Sequence, residues 1–141
     1  MKYILQAFVV AASLCSIPSA ALAQDTSVGD KAVEITVEHD LSAAQMKKLA
    51  GKHYWDKDVK PVLAPFLEKL LGPKWEAFDT AYHKTTPMVY ESGILYGSGW
   101  WGNERSAFEF DVMGTVRAAF KNDDGCTDYG MVHAGYICST L

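Results

Sequence analysis

The first half of the chain repeats apolar residues at steps of three and four, which is the pattern of amphipathic helices. A first helix is predicted to begin at Asp40 or Ser42, because either side chain can accept from the free N–H groups of a first turn. This helix is expected to reach about Leu49 and to end at Gly51. A second, longer helix is predicted over Val59–Leu71.

Two prolines lie inside the second predicted helix. Pro61 falls in its first turn, where the missing N–H has no partner to lose, whereas Pro65 predicts a kink. Gly72-Pro73 then breaks the pattern. Apolar residues return at helical spacing between Trp75 and Tyr82, which predicts a third, shorter helix after the break.

Strand patterns lie on both sides of these helices. Before them, Val33, Ile35 and Val37 alternate with polar residues and predict a short strand with one solvated face. After Pro87 the chain changes to short β-rich runs separated by turn residues. The strands predicted there are Met88–Tyr90, Ile94–Tyr96, Ala107–Val112, Val116–Phe120 and Tyr136–Cys138.

Turn residues connect these later strands at Ser92-Gly93, at Gly114 and over Asn122–Gly125. Helices first and hairpins second predict an α+β fold, in which an antiparallel meander carries two or three helices packed on one face. The length after the N-terminal segment suits a single domain over residues 24–141.

The N-terminus has the order of a secretory signal peptide. Lys2 is followed by the apolar run Tyr3–Leu14 and by the small-residue site Ala21–Ala23. The run is shorter than the roughly 20 residues that a membrane-spanning helix needs. We therefore expect cleavage of residues 1–23, export to the periplasm, and a mature protein that begins at Gln24 with a flexible leader.

The expected export determines how the three cysteines are interpreted. Cys15 would be the modified residue of a lipoprotein, but Leu14 stands where a small residue is needed. Cys126 and Cys138 are then the only cysteines left, and in an oxidising compartment they predict a disulfide worth about 3 kcal/mol. A metal site is the alternative; it would need His133 or another close ligand, and no zinc spacing is present.

Charge narrows the choice of partners. The full chain has a net charge of −4; residues 1–23 hold one base and no acid, so 12 bases and 17 acids remain, a net charge of −5. A negative surface disfavours nucleic acid. It would attract cationic partners and speed their association. The alternative interpretation is that the negative charge only keeps the protein soluble.

Residues suited to catalysis are present but not in catalytic patterns. Ser98 lacks the strand-to-helix elbow of a nucleophilic serine and is expected in a turn. The histidines are scattered and expected at the surface: His39, His53, His83 and His133. Carboxylates that could pair for glycoside or acyl chemistry, or simply face solvent, are Glu76, Asp79, Glu104, Glu109 and Asp111. No phosphate, dinucleotide or calcium motif occurs, so neither an enzyme nor a cofactor is predicted.

The most distinctive segment is Gly97–Arg105, which we expect to be a loop between two strands. Its glycines permit positive φ, and two adjacent tryptophans on extended backbone cannot both point into one core. Either one tryptophan is an exposed interface anchor, or both pack against the fold. The predicted partner-binding residues are Gly99, Trp100, Trp101, Gly102, Asn103 and Glu104.

Several stretches in residues 60–125 resemble the inhibitor of vertebrate lysozyme (Ivy) family of Gram-negative periplasmic proteins. They are Leu71–Phe78, Thr86-Pro87, Gly93–Gly99, Gly102–Asp111 and Gly114–Phe120. The resemblance implies a single α+β domain, often dimeric, that blocks lysozyme by inserting a loop into the cleft of the enzyme. The resemblance therefore implies a lysozyme-type muramidase as a candidate partner. It also implies that the protein can form a homodimer.

This chain departs from the family at the inhibitory loop itself. The family loop is a disulfide-closed Cys-x-x-His-x-Cys segment, whereas only Trp100 and Trp101 stand at the corresponding place here. Cys126 and Cys138 follow the matched region and do not replace the missing pair. The function expected is therefore binding of a protein partner through the tryptophan segment. The alternatives are an envelope immunity or stress protein with another partner, and a small ligand-binding protein.

Overall fold

The computed structural model describes residues 31–130 and 137–141, in which seven strands form one mixed sheet and helices cover one of its faces. The α+β class predicted from the sequence is confirmed. The helices are α1 (Ala43–Leu49), α2 (Lys60–Leu71) and α3 (Trp75–Ala81). The strands are β1 (Lys31–Val33), β2 (Lys84–Thr85), β3 (Val89–Glu91), β4 (Ile94–Trp101), β5 (Glu104–Asp111), β6 (Val116–Asn122) and β7 (Gly125–Tyr129).

The strands lie in the order β1-β7-β6-β5-β4-β2, and β3 pairs with another part of the same edge of β4. All neighbours are antiparallel except β1 and β7, which run parallel. The expectation of a purely antiparallel meander is therefore wrong at this edge. No hairpin turn links β1 to β7, since α1, α2, α3 and the other five strands lie between them in sequence. Their relative direction is therefore not constrained to be antiparallel.

The first strand is shorter than its alternation predicts. Regular pairing ends at Val33, and both Val33 and Ile35 are exposed, whereas Val37 is buried. The segment then crosses to the start of β6, where the carbonyl of Val37 accepts a hydrogen bond from the N–H of Val116 at 3.1 Å. Alternation alone did not show that the chain leaves β7 after three residues.

The helices follow their sequence signals. Ser42 caps α1 by accepting from the N–H of Gln45, whose side chain in turn accepts from the N–H of Ser42. Gly51 follows α1 with a φ of 82°. In α2, Pro61 lies in the first turn, as predicted, and Pro65 lies inside the helix.

The C-terminal end differs from the prediction. A strand, β7, pairs with β6 where none was expected, and Ile137–Thr140 is a 3₁₀ helix instead of a strand; Tyr136 lies outside the described residues. The carboxylate of Asp128 accepts from the N–H groups of Ile137 and Cys138 at 2.8 and 3.2 Å, which caps this short helix. The predicted Cys126–Cys138 disulfide is present, with Cα atoms 5.9 Å apart, and joins the helix to β7.

The main core lies between the helices and the sheet. Its largest fully buried side chains are aromatic and include Tyr54, Phe78, Tyr82, Phe108 and Phe110. A smaller cluster of Ala107, Ala119, Cys126 and Ile137 lies on the other face. In the described part of the chain, no helix is long and apolar enough to cross a membrane.

Candidate functional site: the aromatic end

The segment Gly97–Arg105 is a continuous β-hairpin and not a loop between shorter strands. Strand β4 continues to Trp101, β5 begins at Glu104, and these two residues face each other across the two-residue turn Gly102-Asn103. Gly102 has a φ of 58°, which a glycine adopts at low cost in the first position of a tight hairpin turn. The prediction of a loop is therefore wrong.

The glycines inside β4 have a different role from the one that sequence suggested. Neither Gly97 nor Gly99 has a positive φ. A Cβ atom on Gly97 would lie 2.6 Å from the Tyr82 hydroxyl, and one on Gly99 would lie 2.7 Å from the carbonyl oxygen of Lys84. The glycines are needed because the end of α3 and the residues after it pack directly on the backbone of β4.

The hairpin separates the two tryptophans, because successive residues of a strand point to opposite faces. Trp100 is half-buried on the face away from the helices, where it lies opposite Lys84 and Arg105. Trp101 is 50 % exposed on the helix side, and its ring meets the edge of His83 with centroids 4.4 Å apart. Trp101 is thus the more exposed member of the pair.

Trp55 adds a third ring to this end of the molecule. It is 43 % exposed, its indole N–H donates to the carbonyl of Tyr82, and the Lys60 ammonium lies 3.7 Å above its ring. Tyr82 directly precedes His83, so Trp55 and Trp101 both lie near the C-terminal end of α3. Sequence reasoning did not single out Trp55, because a lone aromatic residue between two helices has no periodicity.

Trp75, at the start of α3, completes the group. It stacks on Phe78 and lines an open depression together with Glu104 of the hairpin. All four tryptophans of the chain therefore lie beside α3 or on the adjoining β4–β5 hairpin. We call this surface the aromatic end; its members are Trp55, Trp75, His83, Trp100 and Trp101.

The candidate carboxylates divide into two groups. Glu76, Asp79 and Glu104 line the depression beside Trp75. Asp79 is already engaged, because it accepts from the Tyr54 hydroxyl at 3.0 Å and from Lys60 at 2.8 Å. Burial, with the negative charge of Asp79 and its hydrogen bond as further causes, raises the pKa of Tyr54 far above its usual value.

Glu109 and Asp111 belong to a different part of the molecule, the sheet face away from the helices. Glu109 receives a hydrogen bond from Arg117 at 3.0 Å, and burial nevertheless raises the pKa of its carboxyl. The oxygen Oδ1 of Asp111 accepts from the N–H of Thr115 in the next turn. These bonds stabilise strands and turns, so the five carboxylates do not form one catalytic arrangement.

The histidines are not all at the surface. His39 is buried: its Nε2 lies 2.8 Å from the Asp111 carbonyl oxygen, and its Nδ1 accepts from the N–H of Leu41. The prediction of a surface residue is wrong there, because the ring packs against Phe110 as a core side chain. His53 and His83 are exposed, as expected, and His133 lies outside the described residues.

Within residues 31–130 and 137–141, no three His, Cys, Asp or Glu side chains are grouped so that they could hold a metal ion. Comparisons with known proteins give no further guide: no family model, curated protein or solved structure matches the chain. The functional inference therefore rests on the geometry of the aromatic end.

Proposed function

We propose that this protein is an exported, non-enzymatic binding protein that recognises a protein partner with its aromatic end. The observation that carries the proposal is Trp101, half exposed beside a tight turn and in edge contact with His83. An exposed tryptophan in an ordered setting is the type of residue that dominates interface energetics, and its truncation at a hot spot typically weakens binding by at least ~2 kcal/mol.

Order in the hairpin supports this role. Paired residues join β4 and β5 without interruption from Ile94↔Asp111 to Trp101↔Glu104. A side chain presented by a paired strand loses less conformational entropy on binding than one presented by an open loop. In the Ivy family a disulfide keeps the inhibitory loop rigid. Here strand pairing in the hairpin would provide that rigidity instead.

The partner we propose is a peptidoglycan-cleaving enzyme of the lysozyme type. The resemblance in residues 60–125 favours it, and so does the net charge of −5 after removal of residues 1–23, because lysozymes are commonly cationic. The exposed His83 also brings an imidazole to the hairpin end, although the hairpin sequence itself contains no histidine. This imidazole comes from the end of α3 and not from within the hairpin.

A direct test mixes the purified protein with lysozymes of several types and follows both complex formation and muramidase activity. Binding with inhibition is expected for at least one type, and Trp101→Ala should weaken the complex about 30-fold or more. Val112→Ala is the matched control, since Val112 is similarly exposed at 49 % but lies at the opposite end of β5.

Absence of binding and inhibition at micromolar concentrations would refute the lysozyme partner and favour another envelope protein. Unchanged binding by Trp101→Ala would instead remove the hairpin from the proposal. Export is tested separately by the mass of the protein recovered from the periplasm, which should begin at Gln24. A lipid on Cys15 or an uncleaved N-terminus would contradict it.

A further inference from the structure

A second concave site lies on the helix-side face of the sheet, near the edge formed by β1 and far from β4. Its lining comes from β1, β6, β7 and the 3₁₀ helix Gly72–Lys74 that links α2 to α3. The pocket has a volume of about 290 Å³. A cavity of about 150 Å³ is enough to hold benzene, so this one can accept a ring with a polar substituent.

The walls of the pocket are apolar where they meet the core. Phe120 and Tyr129 are both more than nine-tenths buried, and Val33 lies opposite Tyr129 in the parallel register. These three side chains share the helix-side face of neighbouring strands. They provide a flat hydrophobic surface against which an aromatic or aliphatic group can pack.

Tyr129 also supplies an unused polar group. The residue is 8 % exposed, it lines the pocket, and its hydroxyl has no hydrogen-bond partner among the described residues. Burial raises the pKa of Tyr129, so the hydroxyl remains protonated and able to donate. Because this hydroxyl faces the pocket lining and makes no hydrogen bond there, it can donate to a ligand oxygen.

Two lysines give the mouth of the pocket its charge. Lys31 comes from β1 and Lys74 from the 3₁₀ helix, and neither forms an ion pair with a described residue. Asp124 contributes one opposing carboxylate to the lining, which leaves an excess of one positive charge. An anionic group is therefore favoured at the mouth, next to the apolar wall.

We propose that this pocket binds a small monocarboxylate with a flat or aliphatic body. The body of the ligand packs on Phe120 and Val33. Its carboxylate accepts a hydrogen bond from the Tyr129 hydroxyl and is attracted by the ammonium groups of Lys31 and Lys74. The site is independent of the aromatic end, because neither hairpin tryptophan contributes to its lining.

The test compares phenylacetate with two probes of similar shape, neutral 2-phenylethanol and cationic phenethylamine, by chemical-shift titration of the intact protein. A ligand of this size is expected to bind in the millimolar range. Phenylacetate should shift the amide signals of β7 and bind about tenfold more tightly than the alcohol, with the amine weaker still.

Variants assign the effect to the proposed groups. Tyr129→Phe should weaken the binding of phenylacetate about fivefold and affect the binding of 2-phenylethanol less. The double variant Lys31→Gln/Lys74→Gln should remove the preference for the anionic probe. Lys48→Gln on α1 is the control for the loss of a surface lysine and should change nothing.

Equal binding of all three probes, or of phenylacetate to the native protein and the double lysine variant, would overturn the proposal. So would the absence of any titratable shift at about 10 mM phenylacetate. Because the lysines are exposed, their replacement tests the site even if Tyr129→Phe disturbs the core.

Discussion

The helix-side face of the sheet is packed with large rings, whereas the opposite face carries alanines and a disulfide. On the first, the ring of Tyr82 lies 4.6 Å from that of Tyr54 and 5.6 Å from that of Phe108. On the second, Ala107 and Ala119 lie beneath the C-terminal 3₁₀ helix, together with the Cys126–Cys138 disulfide. The helix-side face is stabilised by close packing of aromatic rings, and the opposite face by the disulfide.

The difference matters for the site because each face fixes a different part of the protein. The ring cluster includes Tyr82, which directly precedes His83, so the packing that stabilises the core also positions the aromatic end. The disulfide instead joins β7 to the C-terminal 3₁₀ helix, and β6 and β5 lie between β7 and β4. Loss of fit should therefore disturb both stability and binding, whereas loss of the disulfide should lower stability alone.

The largest effect is expected where fit is tightest. Gly97→Val would force a side chain into the space of Tyr82 and Phe108, whose nearest atoms lie 2.6 and 2.5 Å from an ideal Cβ. Overpacking in cores typically costs about 1–3 kcal/mol, and a branched side chain here should exceed about 3 kcal/mol. Urea unfolding measures this; Ser98→Ala, on the opposite face, is the control and should change stability by less than about 0.5 kcal/mol.

A Gly97→Val protein as stable as the native one would show that the rings can move aside. Gly97→Ala provides a milder step if the valine variant does not fold. The same variants should also weaken partner binding, since displacement of Tyr82 moves the adjoining His83 and with it the contact to Trp101.

The next effect comes from the covalent link. Replacing Cys126 and Cys138 by serine should lower the free energy of unfolding by about 3 kcal/mol, because the disulfide closes a loop with a sequence separation of 12. Reductant should produce the same loss in the native protein and none in the double variant. Binding through the aromatic end should survive at temperatures where the variant is folded; its loss there would contradict the separation of the two faces.

Sequence reasoning succeeded where the signals are local. The helix start at Asp40 or Ser42, the break at Gly72 and the turn at Ser92-Gly93 each depend on residues close together in the chain. The structure has all three and places the cap at Ser42. The disulfide was also predictable, because the expected removal of residues 1–23 would leave Cys126 and Cys138 as one pair. In these cases backbone preference and tertiary structure agree.

The remaining features depend on contacts distant in sequence. Gly97 and Gly99 suggested a loop, since nothing in the local pattern shows that Tyr82 packs on them. Likewise, the 3₁₀ helix at Ile137 requires the carboxylate of Asp128, and the contribution of Trp55 to the site requires the carbonyl of Tyr82. A glycine needed for space and a glycine needed for a turn look the same in sequence.

A smaller effect should come from Tyr82, whose buried hydroxyl has no hydrogen-bond partner in the part of the chain that the structure describes. Tyr82→Phe removes this unsatisfied group and should raise the free energy of unfolding by up to about 1 kcal/mol. Tyr54→Phe is the matched control and should be destabilising, because its hydroxyl donates to Asp79. Destabilisation by both changes would indicate that Tyr82 does have a partner in solution.

The smallest expected effect concerns the other face and depends on pH. Burial raises the pKa of Glu109 in the folded protein above its ordinary value, even with Arg117 beside it. The folded state therefore keeps this proton to higher pH than the unfolded state, so the stabilising contribution is complete below the unfolded pKa and is lost as pH rises through the folded pKa. Glu109→Gln abolishes that dependence, and Glu68→Gln on the exposed side of α2 controls for the loss of a carboxylate. The stability difference between native protein and Glu109→Gln should fall as pH rises above the ordinary pKa of a glutamate. A flat or rising difference would mean that pairing with Arg117 outweighs burial.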